Sequence, residues 1–468
     1  MLFSSYNFLF VFLPAILIIY YISDKKYRNY ILLIFSFMFY AYNGFKFLLV
    51  LSTSILINYT FGLIIERLKE KTVSKKIILY IAVMVNIVLL LYFKNYFNFF
   101  IGVFNGFFKM NFTVTQIIMP LGVSFYTFQG ISYLADIYKG QAKAQKNILN
   151  VTLYISMFPE IISGPIVKYQ TFESQINDRN INIDKFALGI EKFIVGLAKK
   201  LIIADTFAKV ANEIFAMKIT DLNIGLAWIG ILAYTIQIYF DFSGYSDMAI
   251  GIAKMLGFEF PENFNYPYIS KSITEFWRRW HISLSTWFRD YVYIPLGGNK
   301  VSYGRRVFNI FVVWFLTGFW HGASWNFIIW GIYYAVILIL EKYVYGKFLK
   351  RAPSFISHLY ALFIVIIGWV FFKSNNLAYA GNYIKTMFNL ANTELAFTSF
   401  MRYVIEYKFE WIIAIIASTP IYLKIKRSNF MKGLKGEVIV VVYLLIIFSV
   451  SITYLIASTY KSFIYFQF

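Results

Sequence analysis

The chain has 468 residues, of which 59% are hydrophobic, 21% aromatic and 14% charged, and a soluble domain of that composition would leave far too much apolar surface uncovered. It reads as an all-α polytopic membrane protein. The absence of cysteine excludes disulfides, thiolate metal sites and a cysteine nucleophile, and the formal charge of +21 is spread through short loops between apolar runs, which fits topology-setting charge beside anionic lipid and not a nucleic-acid-binding domain.

Spanning hydrocarbon takes roughly 20 apolar residues per helix, and about ten to twelve stretches could each supply one. Clear cases are Phe8 to Ile22, Tyr30 to Tyr42, Phe47 to Ile65, Ile77 to Tyr92, Leu359 to Phe372, Trp411 to Leu423 and Val438 to Ile456. No small-residue cleavage site follows the first, so it is expected to stay uncleaved. Lys25, Lys26 and Arg28 place the first loop in the cytoplasm and the N-terminus outside. The connection around Asn43 and Gly44 is nearly uncharged, and the next carries Arg67, Lys69, Lys71, Lys75 and Lys76. Lys342, Lys347, Lys350 and Arg351, and later Lys424, Lys426, Arg427, Lys432 and Lys435, mark further cytoplasmic loops. One last span then puts the tail outside.

Residues 1–110 thus form amino-terminal spans, 111–340 a core, and 341–468 carboxy-terminal spans with an extracytoplasmic tail at 459–468. From about Asn111 to Asn309 the apolar runs are interrupted by Gln129, Asp136, Glu160, Asp241 and Asp247, and by Pro120, Gly122, Gly130, Gly164 and Pro165. Broken and re-entrant segments are tolerated only when buried in protein or lining a wet cavity, so spans around an irregular polar core are expected. No internal repeat suggests a transporter built from two halves.

Three histidines can be weighed singly. His358, in the basic stretch RAPSFISH, reads as a cytoplasmic surface residue. His321 lies in FLTGFWHGASWNFIIWG, within an uncharged run from Val307 to Leu340, too long for one span and suited to two short ones meeting near the histidine. Gly318 and Gly322 permit close approach, Trp320 and Trp325 supply flat walls, and an ionisable residue inside a membrane segment points to function. His281 lies in SITEFWRRWHISLSTWFRDYVYIPLGGNK. Ser272 and Glu275 have capping-box spacing, so a helix is expected to start there and stop before Pro295. On that helix Trp277, Trp280, His281, Leu284, Phe288 and Tyr291 share a face, with Arg278, Arg279, Ser283 and Asp290 elsewhere. Its arginines could meet the phosphates of a nucleotide-containing donor. No phosphate-cradling glycine loop, nucleophile elbow or zinc spacing is present, and no carboxylate is spaced to complete a metal set with the two histidines.

The pairing of EFWRRWHISLSTWFRDYVYIPLGG with FLTGFWHGASWNFIIWG resembles the membrane-bound O-acyltransferases, in the bacterial branch that O-acetylates polysaccharides. MLFSSYNFLFVFLP, VSFYTFQGISYLADIYKG, FPEIISGPI and YFDFSGYSDMAIGIAKMLGF extend the likeness from the first residue to about Leu340. The resemblance implies a ring of membrane helices around a thinned centre in the bacterial cytoplasmic membrane. It also implies a catalytic His321, with His281 as the second motif residue. The donor it implies is a cytoplasmic thioester, acetyl-CoA before an acyl-carrier protein; on the residues themselves Arg278, Arg279 and Trp320 are candidate donor-binding residues, and no bound cofactor is expected. A separate extracytoplasmic acetyltransferase would pass the group to alginate, cellulose or peptidoglycan. Export of D-alanine from a carrier protein is the nearest alternative, and a polysaccharide or ion transporter with a His and Asp proton path is another.

The chain closes on SFIYFQF, which charge bias places outside. A tyrosine among aromatics there can be an interfacial anchor. FIYFQF also resembles the C-terminal aromatic motif of the small partner peptide in D-alanine-exporting systems, which implies that Tyr465 carries the acyl group. A phenol of pKa about 10 is a reasonable nucleophile beside a histidine base.

Overall fold

A computed structural model describes residues 1–68, 73–113, 115, 117–390 and 393–457. The chain is helical, with no strand among the described residues. Among the described residues six helices are long and apolar enough to cross a membrane: Phe45–Arg67, Val73–Phe93, Ile224–Met255, Trp325–Arg351, Ser354–Lys373 and Leu434–Ala457, with Phe8–Ile22 and Tyr96–Phe108 shorter. Other apolar stretches form smaller pieces. The expected crossing at Trp411 to Leu423 is split into Lys408–Ala417 and Ile421–Lys426, because Pro420 lacks the N–H that a continuing helix would use.

The chain divides into two compact units, Met1–Phe193 with Met248–Pro261, and Ile194–Asp247 with Glu262–Phe468. In the first, Phe45–Arg67 and Val73–Phe93 pack on Val123–Tyr138. The buried amides of Asn58 and Asn86 exchange two hydrogen bonds of 3.1 Å, so neither leaves polar atoms facing hydrocarbon. Gly130 lies against Asn58 with no room for a Cβ. Gln129 and Asp136, expected as interruptions, sit inside the unbroken Val123–Tyr138 helix. Residues 157–167, containing Glu160, Gly164 and Pro165, do break the helical run and are buried throughout. Turn bonds within the segment, such as Glu160 N–H to the Met157 carbonyl at 3.0 Å, are joined by two from outside it, the Ser36 hydroxyl accepting Phe158 N–H at 3.1 Å and the Tyr154 hydroxyl donating to the Val167 carbonyl at 3.0 Å.

In the second unit Asp241 and Asp247 also lie within a continuous helix, Ile224–Met255. Pairing makes this tolerable, since a buried charge without a partner is far more costly than one beside its counter-ion. Lys200 Nζ lies 2.7 Å from both Asp205 and Asp241, and Lys199 Nζ 2.6 Å from Asp247. A π-helical turn, Lys199–Ala204, carries both lysines.

Candidate active site

The uncharged run around His321 folds as expected into two helices, Tyr303–His321 and Trp325–Leu340. They pack at glycines: a Cβ on Gly318 would strike the Phe327 carbonyl, and one on Gly331 the Trp314 carbonyl. Ser324 caps the second helix by accepting from Asn326 N–H. His321 is thereby fixed as the last residue of the first helix, 5% exposed. Its ring is walled by Trp320, Phe372 and Trp330, with centroids at 4.7, 4.9 and 5.1 Å.

The segment around His281 departs from expectation. Ser272 does cap a helix, its hydroxyl accepting Glu275 N–H at 3.0 Å, but the helix ends at Arg279 and a second runs from Ile282 to Phe288. His281 stands in the break with φ of 44°, a left-handed conformation that non-glycine residues rarely adopt. A neighbouring strip of backbone takes up the freed groups. Asn265 N–H donates to the Arg279 carbonyl and Ile282 N–H to the Asn263 carbonyl, each at 2.9 Å.

The break brings the two histidines to one place. A cavity of about 260 Å³ is lined by Trp277, Trp280, His281, Leu284, Phe288 and His321. Arg278, which helical spacing assigns to another face, lines it as well. His281 is 2% exposed and lies outside the six candidate spans; burial pushes its pKa down to about 3, so the ring is neutral at ordinary pH. Trp320 touches both imidazoles, with ring centroids 6.4 Å from His281 and 4.7 Å from His321.

Thr274, Arg278, Ile310, Trp314 and Leu338 also line a second, wider chamber of about 990 Å³. Its other walls include Lys271, Glu275, Glu341, Lys342, Lys347 and Lys350. The acids there are already engaged. Glu341 accepts Ile273 N–H at 2.7 Å and Thr274 N–H at 2.9 Å, and Glu275 binds Arg279 at 2.9 Å and Lys271 N–H at 3.0 Å. The chamber therefore presents an excess of cations to whatever enters it.

The two candidate arginines separate. Arg278 lines both cavities, whereas the Arg279 guanidinium is held by Glu275 and the Asn265 carbonyl. His358 is half-buried, its Nδ1 3.1 Å from the Ser270 carbonyl. Tyr465 lies outside the described residues. Among the described residues no group of three or more histidines and carboxylates gathers as a metal site. Sequence reasoning missed Asn263 and Glu341. Neither has a periodic signal, since each acts on backbone or rings distant in the chain.

The profile of the MBOAT, membrane-bound O-acyltransferase family, matches residues 142–380. The probable alginate O-acetylase AlgI of Pseudomonas aeruginosa is 44% identical over 400 residues, covering 85% of this chain and 76% of that protein. The peptidoglycan O-acetyltransferase of Helicobacter pylori is 36% identical over 434 residues, covering 85% and 82%. The teichoic acid D-alanyltransferase of Bacillus subtilis is 34% identical over 254 residues, covering 51% and 63%. Both motif histidines fall inside the matched region, and the chain belongs to the membrane-bound O-acyltransferase family: it is a polytopic membrane acyltransferase.

Proposed function

We propose that this protein passes acetyl from a cytoplasmic thioester, acetyl-CoA in first place, across the membrane for the O-acetylation of an extracytoplasmic polysaccharide. The observation that carries the donor side is the junction of the two cavities. An inner pocket near the low end of small-molecule volumes, about 300–1,000 Å³, suits an acyl thioester on a slender arm. The cation-rich outer chamber suits the phosphates of a nucleotide-containing donor. Lys342, Lys347 and Lys350 lie in the basic stretch, helical in the structure, that charge bias assigns to the cytoplasm, where activated thioesters are made. Relatives named as alginate and peptidoglycan O-acetylating enzymes support the acetyl group and a polymer acceptor.

In this reading His321 takes the proton of an attacking hydroxyl as its oxygen bonds to the thioester carbonyl carbon. The carbon–sulfur bond breaks, and the imidazolium returns the proton to the departing thiolate, leaving a free thiol and an ester. Tyr465 is the proposed first acceptor, since a phenolic ester retains the transfer potential that a separate extracytoplasmic transferase needs. Membranes supplied with labelled acetyl-CoA test the donor. Label is expected on the wild-type chain and absent from His321→Ala and Tyr465→Phe. Label retained in Tyr465→Phe overturns the relay, and transfer only from a charged carrier protein favours a donor like that of the D-alanyltransferase relatives.

A further inference from the structure

Asn263 is fully buried and grips the break in the histidine segment with both its backbone and its side chain. Its carbonyl accepts Ile282 N–H at 2.9 Å. The side-chain Oδ1 accepts the Ser283 N–H at 3.2 Å and the Ser283 hydroxyl at 2.9 Å, and lies 3.1 Å from His281 Nδ1. The Nδ2 group donates to Ser246 Oγ at 3.1 Å. A backbone N–H can only donate, so the amide atom facing Ser283 N–H must be the oxygen, and the usual ambiguity of amide orientation is resolved by chemistry. An oxygen opposite His281 Nδ1 can in turn only accept, which places the imidazole proton on Nδ1.

We infer that Asn263 is a positioning residue that holds His281 in the Nδ1–H tautomer, so that Nε2 serves the pocket as a hydrogen-bond acceptor. The placement follows from the contacts alone; its consequence for transfer rests on the function proposed above. There the hydroxyl's single proton goes to His321, so the hydrogen that His281 accepts belongs to a different group. A pantetheine thioester offers one in the amide N–H nearest its sulfur. His281 then aligns the donor arm while His321 handles the proton. Holding one tautomer against the pocket also accounts for the strained φ at His281, because the same three residues that bend the chain are the ones Asn263 binds.

The chain has three histidines, which makes a direct test practical. Nitrogen NMR of ¹⁵N-histidine-labelled protein in detergent at about pH 8, with His281 assigned by comparison with His281→Gln, reads the tautomer without reference to activity. The expected wild-type signal is a protonated Nδ1 and an unprotonated Nε2; a proton on Nε2 overturns the inference. Asn263→Asp keeps an acceptor at Nδ1 and the same tautomer. Asn263→Leu removes it, and a mixture of tautomers with at least a tenfold fall in kcat/KM for the thioester is expected. A single Nδ1–H tautomer in Asn263→Leu also overturns the inference. If instead the tautomers behave as stated and His321→Ala still transfers acetyl, the proposed function fails while the assignment of Asn263 stands.

Discussion

Glu341 accepts the backbone N–H of Ile273, 68 residues away in the chain, at 2.7 Å, and its other oxygen accepts Thr274 N–H. A carboxylate from the end of one membrane helix thus satisfies the first turn of the short helix that carries Trp277 and Arg278.

Glu341→Ala should leave those two N–H groups without their carboxylate partner. Loss of a cap costs about 0.5–2 kcal/mol, and buried orphan donors about 1–3 kcal/mol each. The expected result is a clear drop in Tm for the detergent-purified protein, together with a raised KM for the donor because Arg278 loses its fixed mount. Glu341→Gln, which keeps one acceptor, should fall between the two. An unchanged Tm in Glu341→Ala would show that the cap contributes nothing.

Lys200 joins Asp205 and Asp241 at 2.7 Å each, with all three side chains buried. Lys200→Met strands two carboxylates in a low-dielectric interior, where breaking a buried ion pair from one side costs about 3–5 kcal/mol. Thermal unfolding should show a large loss, and adding Asp205→Asn with Asp241→Asn should recover much of it. A triple variant no more stable than Lys200→Met would contradict this account.

The pKa of His281 falls from its ordinary value of 6.5 to about 3 in the folded chain. Above pH 6.5 both states are neutral and the group has no effect on stability. Below it the unfolded chain binds a proton that the folded chain refuses, so stability is lost as pH falls towards 3, by at most about 1.4 kcal/mol per pH unit. Unfolding midpoints should therefore fall between pH 7 and 5, and His281→Gln should show a shallower fall. Equal slopes in the two proteins would refute the shift.

Gly331 and Gly318 bring two helices into backbone contact around the histidine. Gly331→Val should force them apart, because a helical Cβ has no space against the Trp314 carbonyl. Loss of activity out of proportion to loss of expression is the expected outcome, measured by label transfer per folded molecule. Normal transfer in Gly331→Val would mean that His321 does not depend on this contact.

Much of this protein is legible in its sequence. The apolar runs predicted the spans Phe45–Arg67, Val73–Phe93 and Ser354–Lys373 closely, because hydrocarbon dictates both length and composition. Ser272 marked a helix start, and the charge-free run around His321 predicted two short helices meeting near the histidine. Helical spacing failed at His281, since periodicity assumes a continuous helix and the break is stabilised by Asn263 and Asn265, which lie earlier in the chain. It failed likewise at Asp241 and Asp247, read as interruptions; each is matched by a lysine that no local pattern pairs with it.

The sequence by itself determined the solvent the chain folds in, its helical class and the two histidine motifs, because these depend on local composition and on short runs of residues. Only the tertiary structure decided that His281 and His321 share one cavity, that Arg278 and not Arg279 lines it, and that the acids of the outer chamber are already engaged. Those outcomes depend on contacts between residues far apart in the chain, whose geometry is set by packing and by the need to satisfy every buried polar group.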